Sequence, residues 1–238
     1  MLTFDRERLR LGATGLEVQL DERQLDQFET YARRIEETNR VMNLTRVPWE
    51  EYVPRHFLDS LTTAKVASFH PDMTVLDVGT GVGLPGIALK IAFPQIKLTL
   101  LDTKHKYIQY LDRACKELGF NDVMLLEGRA EEIAHNKEHR DKYHLVVARA
   151  LSAMPVLTEL TLPFVRISGL LVALKSEDAR KEIEEAKPVI ISLGGNLIDI
   201  LEVSLPTTDI VRLLPVIRKF ERTPSNYPRA WKLIKGES

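Results

Sequence analysis

The run Asp77-Val78-Gly79-Thr80-Gly81-Val82-Gly83-Leu84-Pro85-Gly86 carries the densest chemistry in this chain. An apolar stretch ends beside an acid, and glycine follows at every second position. Ile87-Ala88-Leu89-Lys90-Ile91-Ala92-Phe93 then continues as a helix. A strand, glycine loop and helix in this order bring backbone close to a ligand and aim helix N–H groups at it. Gly81-Val82-Gly83-Leu84-Pro85-Gly86 also satisfies G-x-G-x-x-G, a weak match alone. A dinucleotide site puts its first glycine directly after the strand, whereas this glycine run begins two residues earlier, behind Asp77. An anionic pyrophosphate would be repelled by Asp77; a cationic group would not. Asp102 ends Leu98–Asp102, 23 residues after Gly79. An acid about 20 residues on suits ribose hydroxyls. Glu127–Ile133 turns from strand to helix, and Arg149-Ala150 follows another strand. Taken singly, Asp77 and Asp102 read equally well as loop caps, Arg149 as an ion-pair residue, and Glu131 and Glu132 as a solvated first helical turn.

These residues need a frame. From His70-Pro71 onward, strand and helix patterns alternate, which predicts an α/β fold: a mostly parallel sheet with helices on both faces. The strands are expected at Val75–Val78, Lys97–Leu101, Val123–Leu126, Leu145–Ala148 and Leu170–Leu174. Helices are expected at Gly86–Phe93, Lys104–Leu118, Ala130–Asn136, Met154–Val165 and Glu177–Ile191. Tyr107, Leu111, Cys115 and Leu118 fall at helical spacing and read as core, with Lys104 and Lys106 on a wet face. Leu197–Leu205 and Ile210–Phe220 predict an antiparallel C-terminal edge, with Pro206 and Pro215 at edge or bulge positions. Residues 1–70 read as an N-terminal helical extension packed on a domain spanning 71–238. Within it, Asp21 caps a helix carrying Leu25, Phe28, Ala32 and Ile35 inward, and a second helix covers Tyr52 to Phe69.

The chain has 238 residues, 44% hydrophobic and 28% charged, with a net charge of −1. A general nucleic-acid coat protein would be more basic, so any nucleic-acid contact must come from a local patch. Residues 212–238 form one: seven basic and two acidic side chains, net +5, with Tyr227 and Trp231 among them. Those rings suit stacking on bases; the plainer reading is a solvated edge and a packed terminal aromatic. Cys115 is the single cysteine, which excludes an internal disulfide and a cysteine zinc cluster, and no metal site is expected. No apolar run approaches a membrane span and the N-terminus lacks a signal-peptide core, so a cytoplasmic location without membrane contact is expected.

The D-x-G-x-G-x-G run resembles the first motif of class I S-adenosylmethionine-dependent methyltransferases, a Rossmann-like fold. That resemblance implies a loop packed on the methionine part of S-adenosyl-L-methionine, with Asp77 helping to hold its ammonium group. It puts the adenine at Glu127–Ile133 and the methyl-donor site beside Arg149. Met42-Asn43-Leu44-Thr45, Arg55-His56-Phe57-Leu58-Asp59-Ser60-Leu61, the glycine loop, Arg149-Ala150 and Tyr227-Pro228-Arg229 occur in this order. Together they closely resemble the bacterial glucose-inhibited division protein B family, over roughly Leu20 to Arg229. The resemblance implies guanosine-N7 methylation of 16S ribosomal RNA. By position it implies cofactor contacts at Gly79, Leu84, Ala130, Glu131 and Arg149, with Asp77, Gly81 and Asp102 from the class pattern. Asn43, Arg55, His56, Asp59 and Arg229 are family positions toward the RNA. His56 alone is more often structural, and Asn43 alone a turn cap. After Arg229 the chain departs from the family's lysine-, glycine- and proline-rich tail.

The residues fit that chemistry. Guanine N7 has a free lone pair, so no strong base is required and positioning supplies much of the rate. Cysteine-dependent pyrimidine C5 methylation is disfavoured because Cys115 reads as core, and the N-P-P-aromatic run of exocyclic-amine methylation is absent. Arg149 is the candidate that shapes the transfer site by hydrogen bonds rather than by moving a proton. The expected partner is 16S ribosomal RNA or the small-subunit particle, and a monomer is expected. Two alternatives remain at this stage: a methyltransferase of a small molecule, and a non-catalytic RNA-binding assembly factor that keeps the cofactor fold. A nicotinamide dehydrogenase is disfavoured by Asp77.

Overall fold

The computed structural model describes residues 3–236. Met1 and Leu2, and Glu237 counted in the C-terminal charge, lie outside them. Seven strands form one sheet: β1 Thr74–Val78, β2 Lys97–Asp102, β3 Met124–Glu127, β4 Tyr143–Arg149, β5 Val165–Ser176, β6 Gly195–Ser204 and β7 Val211–Lys219. Their order is β3-β2-β1-β4-β5-β7-β6; the first five run parallel, and β7 pairs antiparallel with β5 and β6. The strand order reverses between β2-β1 and β4, where open α/β sheets place ligands outside the strand ends.

The helices are α1 Arg6–Gly15, α2 Glu22–Met42, α3 Asp59–Leu61, α4 Gly86–Ala92, α5 His105–Glu117, α6 Ala130–Ile133, α7 Met154–Thr161, α8 Arg180–Ser192 and α9 Trp231–Ile234. Side chains alternate across the strands and so divide the core. Val75, Leu98, Leu100, Leu145 and Val147 pack toward Phe28, Tyr31, Phe57, Ile87 and Leu111. Leu76, Val78, Leu101, Val146 and Ala148 face the other way, toward Leu157, Leu160, Ile183 and Ile190. The N-terminal helices thus share one apolar cluster with the sheet.

Asp21 caps α2 with a capping box: its carboxylate accepts from Gln24 N, and the Gln24 side chain accepts from Asp21 N. Gln24 Nε2 also donates to the carbonyls of Ile91 and Ala92 at 2.9 and 3.0 Å, and Gln27 Nε2 donates to Leu118 O at 2.9 Å. The final carbonyls of a helix lack intrahelical donors. Two glutamines of α2 therefore finish the C-terminal ends of α4 and α5. Deeper in the same interface, the fully buried Tyr31 hydroxyl donates to Val82 O of the glycine loop.

The structure moves several expected boundaries. α1 carries an amphipathic turn that sequence inspection did not single out, with Leu9 and Ala13 buried. The expected helix over Tyr52 to Phe69 is a π-helical turn, Val53–Leu58, running into α3 and then a 3-10 turn, Thr62–Lys65. The expected helix to Val165 ends earlier, because Val165 opens the 12-residue β5. Tyr107 is half-buried on α5, while Tyr110, Leu111, Ala114 and Cys115 form its buried face. Pro215 sits in β7, an interior strand, paired with Ile200 close to a bulge between Leu197 and Asp199. Among the described residues no helix is long and apolar enough to cross a membrane.

Tyr31→Phe leaves the Val82 carbonyl without its donor in a buried place. Urea unfolding should show a loss of about 1–2 kcal/mol; unchanged stability would remove the tether from the account of the loop.

Candidate functional site

The glycine loop is built on Asp77. Its side chain is fully buried, and Oδ2 accepts from Thr80 Oγ1 at 2.7 Å and from Gly86 N at 2.8 Å. The first N–H of α4 is therefore satisfied by the chain itself, as are those of Ile87 and Leu89, which reach Gly83 O and Pro85 O. The expectation that this helix start aims free N–H groups at a ligand is not met at these positions. Asp77 Oδ1 is buried with no partner among the described residues. Burial is the largest influence on this carboxyl and raises it to about 6, against the opposing hydrogen bonds from Thr80 and Gly86.

Asp102 ties the loop from the neighbouring strand. Its Oδ2 accepts from Gly81 N at 2.9 Å and its Oδ1 from Lys104 N at 3.0 Å. Gly79 and Thr80 donate in turn to Leu101 O at 2.9 and 3.1 Å. Gly79 has φ +69, and a Cβ there would lie 2.5 Å from Leu151 Cδ1. Gly81 has φ +56, and no atom lies nearer than 4.0 Å to a Cβ built on it. Its glycine is needed for backbone conformation and leaves the space above it open.

That space is a cavity of about 450 Å³ lined by Gly79, Gly81, Asp102, Tyr107, Ala130, Glu131, Ala150, Leu151 and Trp231, among others. It gathers most of the residues expected to hold a cofactor. Asp77 and Leu84 are different: both are buried beneath the loop and outside the lining. Leu84 belongs to the apolar cluster with Ile87 and Leu111. Glu131 pairs with Arg129. Tyr107 and Trp231 were not expected here. The helical period gave Tyr107 to the core, and the basic tail gave Trp231 to RNA bases or to a packed terminus.

Ala150, at φ +54, also borders a second cavity of about 540 Å³. Arg46, Arg55, His56, Asp59, Arg149, Lys175, Glu182 and Arg212 line it. Arg149 faces this cavity and not the first one. Its Nη1 donates to Arg55 O at 3.0 Å and to Asp59 Oδ2 at 3.1 Å. Arg212 Nε donates to Asp59 Oδ1 at 2.7 Å. One buried carboxylate thereby holds two guanidiniums, from β4 and β7. His56 is buried; its Nε2 lies 3.0 Å from Thr45 Oγ1 and its Nδ1 3.2 Å from Arg55 O. Burial first, then Arg149, pushes it down to about 3, so the ring is neutral near pH 7.

Two candidate RNA residues lie apart from this cavity. Asn43 is the left-handed C-cap of α2, φ +50, and its N–H bonds Asn39 O. Arg229 is paired in bidentate fashion with buried Glu159, Nε–Oε1 2.9 Å and Nη2–Oε2 2.7 Å, with its own N–H also on Oε1. The basic C-terminal segment is likewise partly structural. Lys219 is fully buried and donates to Asp141, Leu162 O and Thr223. Cys115 is buried, its thiol pushed up to about 12. Among the described residues no group of acids, histidines and cysteine is arranged to hold a metal ion.

The chain matches the GidB family model, described as rRNA small subunit methyltransferase G, over residues 24–211. It is 41% identical over 222 residues to the ribosomal RNA small subunit methyltransferase G of Alkaliphilus metalliredigens, covering 93% of each chain. It is 40% identical over 225 residues to that of Acetivibrio thermocellus, covering 94% of this chain and 92% of the relative. Among solved structures, the precorrin-6y C5,15-methyltransferase of Geobacter metallireducens aligns with TM-score 0.51 at 15% identity, over 68% of this chain and 87% of that one. The YcgJ protein of Bacillus subtilis aligns with TM-score 0.53 at 12% identity, over 70% of this chain and 100% of that one. At these identities the structural likeness is one of fold.

The raised Asp77 carboxyl has a measurable consequence. The folded chain holds this proton more tightly than the unfolded chain does. The stability it contributes is therefore full below about pH 4 and lost as pH rises through about 6. Asp77→Asn should remove that slope. In urea unfolding at about pH 4 and about pH 7, the unsubstituted chain should lose ~2–3 kcal/mol more than the variant over this interval. Equal losses would show that Asp77 is ionised without cost.

Proposed function

Because the chain belongs to the GidB family of rRNA small subunit methyltransferase G, we propose that it methylates N7 of a guanosine in 16S ribosomal RNA, using S-adenosyl-L-methionine. The observation that carries this reading is the meeting of the two cavities at Ala150, one floored by the glycine loop and the other ringed by arginines. The residues of the first cavity fit the cofactor. Asp102 lines it with one N–H on each oxygen, and a carboxylate oxygen has a second lone pair for a ribose hydroxyl. Beneath the loop and outside the lining, Asp77 Oδ1 is buried and unpartnered, an acceptor that suits the ammonium of the methionine part through a water. When bound, the cofactor supplies an electrophilic methyl group on a sulfonium.

The second cavity then receives the guanine. N7 needs no proton removed, and the side chains lining this cavity match that requirement. His56 is neutral, with both ring nitrogens engaged. Asp59 spends its oxygens on two guanidiniums. Arg149 and Arg212, held in place, keep further N–H groups for the RNA, and Arg46 adds positive charge, while Arg55 is paired with Glu51 at 2.9 Å. Catalysis on this reading is positional: the protein fixes the acceptor base against the methyl group. A monomer acting on the small subunit or its free RNA is the assembly it implies.

Incubating the protein with labelled adenosylmethionine and unmodified small subunits, or their RNA, should label one guanosine. Mass spectrometry should place the methyl at N7. Label confined to small molecules, or none, would overturn the reading. Asp59→Asn should reduce kcat/KM for the RNA about tenfold or more by freeing both arginines, with adenosylhomocysteine affinity unchanged within about twofold. Equal loss of both would make Asp59 a general fold residue.

A further inference from the structure

The chain from Tyr227 onward is firmly attached. Arg229 is clamped on Glu159, which is 2% exposed. His135 Nε2 lies 2.9 Å from Pro228 O. Arg140 donates from Nη1 to Tyr227 O at 2.8 Å, and from Nη2 to Thr223 O and Pro224 O at 2.9 and 3.0 Å. Beyond the clamp, Ile234 is buried in the apolar cluster with Ala130 and Leu157. Trp231 lies between two anchors, Arg229 and Ile234, in a short helix that would be marginal by itself.

The anchors deliver the indole to a particular place. Trp231 lines the first cavity, together with Asp102, Ala130 and Glu131. The Arg129 guanidinium lies over the indole at 5.3 Å, and Lys235 Nζ lies at 5.3 Å from the ring centre. Arg129 immediately precedes Ala130, at the β3–α6 turn. The end of the cavity toward β4, where Ala150 joins the arginine-ringed space, is where transfer would take place. Trp231 therefore stands with the β3–α6 residues, at the nucleoside end. An indole partly exposed to a cavity, backed by a guanidinium and edged by carboxylates, offers an apolar face to a flat heteroaromatic ring and hydrogen-bond acceptors to a sugar.

We propose that the C-terminal segment is a strap that places Trp231 against the adenine of the cofactor, making this tryptophan a binding residue for the methyl donor rather than a contact for RNA bases. The proposal rests on the reading of the first cavity as the adenosylmethionine site. It gives the Arg229–Glu159 pair a role in cofactor affinity, because that pair fixes the chain two residues before the indole.

Adenosylhomocysteine is the probe, followed by calorimetry and by tryptophan fluorescence. Trp49 is an internal control: it packs against Phe4 and Tyr52, donates to Thr3 O and does not line the cavity. Binding should change the emission of the unsubstituted protein and of Trp49→Phe, and leave that of Trp231→Phe unchanged. Trp231→Ala should weaken binding about 5- to 100-fold, the range for losing one base-stacking ring, and Trp231→Phe should restore part of it. Arg229→Ala should also weaken binding, and should add nothing further in a Trp231→Ala background. If the unsubstituted protein binds and Trp231→Ala binds within about twofold of it, the strap is overturned and the cavity reading stands. If the unsubstituted protein does not bind adenosylhomocysteine, the cavity reading falls and the strap falls with it.

Discussion

A carboxylate sealed beneath a glycine loop must find donors there, and Asp77 finds them for one oxygen only. That oxygen gathers Thr80 from the loop and Gly86 from the start of α4, so loop and helix are fixed to the end of β1 at a single point. Asp102 does the same from β2 by way of Gly81. The two acids thus act first as the framework of the loop. Whatever they offer a ligand is the capacity left over: one open oxygen on Asp77 and spare lone pairs on Asp102. Their position at adjacent strand ends lets a loop of small residues hold its shape without bulky side chains, and the cavity above it stays open.

The second cavity follows another principle. Its arginines are gathered around Asp59, which would be costly to bury alone and is here paired on both oxygens. The π-helical turn and α3 bring Asp59 to the open ends of β4 and β7, so this cavity is assembled from three distant pieces of chain. Positive charge there is organised by a negative one inside it. The left-handed Ala150 separates this space from the glycine-loop cavity, and Leu151 beside it occupies the room that a Cβ on Gly79 would need.

The architecture was readable where burial writes itself into the sequence. Parallel strands covered on both faces appear as short apolar runs, and four of the five expected ones start within a few residues of the observed strands; the fifth begins earlier, at Val165. Glycines at positive φ marked the loop. The direction of Asp77 was also present in the alternation of β1, which puts it on the same side as Val75 and so toward α4; its chemical type drew attention to a ligand instead. The pairing of Asp59 with Arg149 and Arg212 spans 90 and 153 residues and leaves no local pattern. Arg229 and Lys219 read as members of a basic patch open to RNA or solvent because nothing near them in sequence announces Glu159 or Asp141. Trp231 lies in a segment too short for periodicity to place.

The glutamines of α2 have a consequence for the order in which the molecule is made. Gln24 and Gln27 complete helices whose last carbonyls lie 67 to 91 residues further along. During synthesis the first helices emerge with an apolar face and no sheet to cover it, since Phe28 and Tyr31 pack on residues of α4 and α5. They must wait until the chain has been extended past Leu118. The first two helices therefore lack their packing partners for a time despite their early appearance, with the apolar face open to chaperones or misassembly during that interval. Their docking and the glycine loop are tied together, because Tyr31 reaches Val82 only when both are in place.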